Sequence, residues 1–151
     1  MSNKRTGKIV LFVVGGILLL VAIVGVGGTL LVRSALTSFE THRSKMCLRE
    51  DLEVSEPILR YSPGMDAAMW CKFEVKADAI DEVFDAAKVD TTEFDEIGYT
   101  FRVSWIDNEW WDVASHELIG GEVSIGQDFM RVGYIDHGDG TLTVYIFWFE
   151  V

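Results

Sequence analysis

The chain has 151 residues, of which 49% are hydrophobic and 25% charged, with 24 acids against 13 Lys and Arg. The charge is divided: residues 1–33 carry Lys4, Arg5, Lys8 and Arg33 and no acid, whereas residues 34–151 hold nine basic residues against all 24 acids, a net of −15. That balance argues against nucleic acid or anionic lipid as partners of the larger part, leaving a basic partner protein or a weak divalent-ion contact as the complementary chemistry; its length suits one domain with its own core rather than two.

After a short basic tail (1–8), Ile9 to Val32 runs for 24 residues without a charge. As a helix it would be about 36 Å long, against a hydrocarbon core of roughly 30 Å, so residues 9–32 read as a transmembrane helix and the bilayer as a partner. The competing reading is an export signal, with small residues at Gly25 and Gly27 offering a cleavage point after residue 27. The apolar run exceeds the usual length of such a signal and continues through Thr29-Leu30-Leu31-Val32, which favours an anchor that stays. Lys4, Arg5 and Lys8 crowd its first end, while Arg33 stands alone at the other until Arg43. The close-in bias places the N-terminus in the cytoplasm and the C-terminal domain outside it, periplasmic or extracellular.

Within this segment Gly15, Leu18, Ala22, Gly25, Thr29 and Val32 fall on one helical stripe. Four of the six are small, and in lipid small residues let a second helix approach closely, so the stripe reads as a packing face for one or more transmembrane partners. With no charge inside it, the helix is not suited to relay ions or protons.

Residues 33–64 read as a membrane-proximal helix or stalk, closed by turns at Pro57 and Ser62-Pro63-Gly64. The acidic domain follows at 65–151. In Ala67–Lys76 the alternation puts Met69, Cys71, Phe73 and Val75 on one face of a strand. Asp78 then stands as an N-cap before Ala79–Lys88, where Ile80, Val83, Phe84 and Ala87 recur at helical spacing; this is the one main helix expected. Tyr99–Asp107 alternates again as a strand. After the turn at Asp107-Asn108-Glu109 comes the Trp110-Trp111 pair, and a break is expected at Gly120-Gly121. "EVSIG" and "FMRVGYID" read as further strands, and Asp139-Gly140 between apolar alternations marks a hairpin into the last strand. The fold class is therefore α+β: one transmembrane helix, then a small domain with a mainly antiparallel sheet of about five strands and one main helix.

Two cysteines, Cys47 and Cys71, are the only ones in the chain. Their spacing fits no zinc pattern, and a disulfide between them, worth about 3.5 kcal/mol, would suit a small extracytoplasmic domain. The last strand is apolar on both faces. Leu142, Val144, Ile146 and Trp148 alternate with Tyr145, Phe147 and Phe149, so it is either central and covered or pressed on a partner. Trp110, Trp111, Tyr145, Phe147 and Phe149 form the candidate docking or ligand surface.

No nucleophile elbow, phosphate loop or dinucleotide fingerprint is present, and His42, His116 and His137 lack metal-ligand spacing. No catalytic, cofactor or metal residues are assigned, and no cofactor is expected. The residues point to a non-enzymatic accessory or scaffold subunit of a larger membrane complex, its acidic domain docking on or capping a partner. An anchored extracytoplasmic ligand-binding or sensing module is the second reading. A hydrophobic N-terminal helix ahead of a small sheet domain also resembles, in outline, the type IV pilins, which would imply a filament subunit. The chain departs from that pattern in having no glutamate near the start of its apolar segment and in placing Lys8 directly after Gly7.

Overall fold

The computed structural model describes residues 38–99 and 109–151. The transmembrane segment and its packing stripe therefore lie outside the described residues, as does the strand expected beyond Tyr99. Among the described residues no helix is long and apolar enough to cross a membrane.

The described residues belong to the compact unit 37–151. They begin with a single helical turn, α1 (Phe39–His42), and build six antiparallel strands: β1 (Val54–Ser62), β2 (Ala68–Lys76), β3 (Asp95–Tyr99), β4 (Leu118–Ile125), β5 (Asp128–Asp136) and β6 (Thr141–Phe149). Their order in the sheet is β1-β2-β6-β5-β4-β3. Five are eight or nine residues long, and β3 lies beside β4 at the end of the order.

The alternation in β2 does what period two requires: Met69, Cys71, Phe73 and Val75 are buried on one face. They pair in register with Trp148, Ile146, Val144 and Leu142 of β6. Met130, Val132 and Val123 extend this face across β5 and β4. The hairpin at Asp139-Gly140 forms as expected. Gly138 and Gly140 take positive φ, and the carboxylates of Asp136 and Asp139 accept backbone N–H bonds at 2.7 and 3.0 Å. β6 is central and covered on both faces, with Leu142 to Trp148 all buried.

The main helix expected over Ala79–Lys88 is not there. Ile80–Glu82 makes one 3₁₀ turn, after which the chain leaves the helical path. Phe84 forms an isolated antiparallel bridge with Leu48, held by Asp85 N donating to the Cys47 carbonyl at 2.8 Å and Arg49 N to that of Val83 at 3.2 Å. Ten residues make a marginal helix on their own, and here a tertiary pairing that buries Val83 and Phe84 outweighs local preference. Ala87, expected on the apolar face, is exposed, and Val89 is buried instead. The layer over the sheet is thus irregular. Among the described residues it consists of α1, the turns through Leu48, and the 77–94 loop.

Two further expectations give way. Val54–Ser62, read as part of a stalk with a turn at Pro57, is the edge strand β1. Pro57 is tolerated there because an edge strand has a side that needs no ladder donor. The Gly120-Gly121 pair is no break, since β4 runs through it. A Cβ on Gly120 would run into the Val132 carbonyl, and one on Gly121 would lie 2.7 Å from the Phe94 ring, so these glycines permit close packing.

The segment before β1 is tied down by side chains. The Arg43 guanidinium donates to the carbonyls of Arg49, at 2.9 Å, and Leu52. Lys45 Nζ sits 4.1 Å from the centre of the Trp148 ring, a cation–π contact on the core side of β6.

Candidate functional site

The second face of the sheet carries the candidate surface. Pairing in register aligns Lys72 with Tyr145, Trp70 with Phe147 and Ala68 with Phe149. On the other flank Gly133, Arg131 and Phe129 stand beside the same three residues of β6. Trp70 and Phe147 lie 5.4 Å apart, and Phe149 stacks on Phe147 at 5.5 Å and meets Phe129 at 4.9 Å. These rings follow from one rule: every second residue of β2, β5 and β6 emerges on this face.

The Trp110-Trp111 segment lies over the upper part of the face. Trp111 meets Tyr145 edge-on at 5.7 Å, and Trp110 packs edge-on against Trp111 at 5.5 Å. With Val113 and Leu118 they form a second, smaller core. The structure therefore brings the five sequence-nominated aromatics onto one face but buries three of them. Trp111, Tyr145 and Phe147 are at most 6% exposed, while Trp110 and Phe149 are half-buried.

A polar cluster missed in the sequence holds this segment in place. Asp112 Oδ1 accepts from Lys72 Nζ and from the Tyr145 hydroxyl, each at 2.8 Å, and Oδ2 lies 3.3 Å from His116 Nε2. Lys72 Nζ also stands 5.1 Å from the centre of the Tyr145 ring. Burial alone would raise the Asp112 carboxyl, but the hydrogen bonds from Lys72, Tyr145 and His116 outweigh it and hold it at about 2. Burial, reinforced by the Asp112 charge, pushes the Tyr145 phenol well up. The pair is thus an ionised acceptor and a neutral donor near neutral pH. Lys72 is an outward position of a strand and Asp112 follows a Trp pair 40 residues later; nothing in the sequence couples them.

Cys47 and Cys71 are both buried in the main core, and both thiols are free, where a bond was expected. Cys71 is an interior residue of β2 facing the core, and burial drives its thiol far up. Cys47 occupies a turn at φ 53, with Leu48 bridged to Phe84 beside it. Burial raises its thiol as well, with Lys88 opposing and Asp85 adding to the rise. Each thiol is accounted for as a packed apolar group.

Two depressions of about 480 and 460 Å³ adjoin at Arg49 and Asp51. Their walls mix acids (Glu53, Glu82, Asp85) with Lys76 and Lys88. Arg49 pairs there with Asp51 at 2.7 Å and Lys88 with Asp85 at 3.0 Å. Among the described residues no group of three or more His, Cys, Asp or Glu is arranged to hold a metal ion. No protein-family model matches the chain, and neither a curated protein nor a solved structure matches it.

Proposed function

We propose that the protein is a non-enzymatic single-pass membrane protein, an accessory subunit of a larger integral-membrane complex. In this reading residues 9–32 span the bilayer, the N-terminus is cytoplasmic, and the acidic sheet domain docks on or caps a basic partner outside. One observation carries it: a 24-residue uncharged segment with a small-residue stripe precedes a domain of net charge −15. The Asp112 carboxylate, accepting from Lys72 and Tyr145 at 2.8 Å each, fastens the Trp110–Val113 segment to the sheet, a structural role in keeping with a docking domain.

The test is co-purification from native membranes in mild detergent, comparing the wild type with Gly25→Leu and Ala22→Leu. Bulk on the stripe is expected to strip away the partners while leaving the sheet domain folded. Partners retained by both variants would remove the helix-packing part of the proposal.

A further inference from the structure

Among the described residues β1 forms an edge of the sheet, nine residues long, with Ser55 to Ile58, Arg60 and Ser62 exposed. Such an edge presents free N–H and C=O groups to any strand that comes alongside, and an identical edge on a second chain is the nearest candidate. A long exposed edge of this kind needs protection against such pairing.

The ladder from β1 to β2 supplies it. Val54 and Ser55 pair with Val75 and Glu74, but the next pairs are Ile58 with Lys72 and Leu59 with Cys71. Glu56 and Pro57 therefore face the single residue Phe73: one residue too many, a β-bulge. Glu56 is forced to φ 50, a left-handed conformation that a glutamate adopts only under constraint. Pro57, immediately after, has no N–H to offer to a neighbouring strand.

The bulge does not serve the core. Val54, Leu59 and Tyr61 all lean on the main core, opposite Val75, Cys71 and Met69. Without Glu56, Val54 and Leu59 would be an even number of residues apart, and a straight strand would put the same three side chains on the same face. The extra residue only corrects for its own presence. What it changes is the outer edge, where it bends the strand and interrupts the run of bonding groups.

We infer that the Glu56–Pro57 bulge guards the β1 edge against strand pairing with a second copy of this chain. The guard is independent of any association through residues 9–32, and the wild-type assembly is the baseline of its test.

The full chain in detergent micelles is compared with two variants: deletion of Glu56 combined with Pro57→Val, and Pro57→Val alone. Light scattering gives the mass of the protein component across a concentration series, and circular dichroism with tryptophan emission reports the fold. The deletion variant is expected to keep the wild-type spectra and to grow in mass with concentration beyond the wild-type assembly. Pro57→Val, which restores a donor but retains the bulge, is expected to do so to a smaller extent. A folded deletion variant that stays at the wild-type mass throughout the series overturns the inference. If the deletion variant loses the fold, Pro57→Val decides alone: growth in its mass supports the guard, and wild-type mass overturns it.

Discussion

Replacing Asp112 with asparagine removes the charge that fastens the Trp110–Val113 segment to the sheet while keeping the size of the side chain. The carboxylate is held at about 2 in the folded protein against an ordinary 3.8, a difference equivalent to about 2 kcal/mol of preference for the ionised folded state. The side chain is 32% exposed, so solvent screening reduces the expected loss for Asp112→Asn to about 1–2 kcal/mol. The sign follows from the depressed folded value. The contribution is complete above the unfolded value, near 3.8, and disappears as pH falls through about 2. Urea unfolding of the full chain in mild detergent, followed by tryptophan emission, measures it, because Trp111 packs on Tyr145 beside the substituted residue. At pH 7 the midpoint of the variant should fall by about 1 M. The gap between wild type and variant should then narrow steadily from pH 4 towards pH 2. Equal midpoints at pH 7, or a gap of the same size at pH 7 and pH 2, would refute the reasoning.

Other outcomes follow from the same structure. Gly120→Ala should cost about 1–3 kcal/mol, read as a lowered thermal midpoint, because its Cβ would press on the Val132 carbonyl. Ala87→Gly should change stability by less than about 0.5 kcal/mol, since residue 87 is exposed and outside any helix; a loss near 1 kcal/mol would restore the helix expected from the sequence. Without reductant, a thiol reagent should label neither Cys47 nor Cys71 in the folded chain and both in denaturant, as free buried thiols require; no labelling in denaturant would mean a disulfide.

The sheet was legible wherever one strand faced one core. Met69 to Val75 alternate cleanly, and Asp139-Gly140 sits where a tight turn needs residues tolerant of positive φ. The last strand could be recognised as double-faced from its own residues, and the packing of Phe39, Met46 and Phe84 on one side and of Trp111 and Val113 on the other explains why both faces are apolar. The failures have specific causes. Val83 and Phe84 fit a helical stripe, yet they are buried by a bridge to Leu48, 36 residues away, which no local pattern records. β1 was hidden because its bulge breaks the alternation: Val54 and Leu59 share a face though they are an odd number of residues apart. The five aromatics of the candidate surface were identified by type and spacing. That Trp111 would turn inward onto Tyr145 depends on Asp112 meeting Lys72 across the fold, and a pairing over that distance leaves no trace in the linear chain.

The central claim is that this chain works as an anchored subunit of a larger assembly. Extraction of native membranes in mild detergent, native separation and mass spectrometry of the migrating species test it most directly. The expected result is the intact chain, residues 1–33 included, in a defined complex with membrane partners in fixed stoichiometry. Recovery as a free monomer or homodimer, or with residues 1–27 removed, would contradict the account.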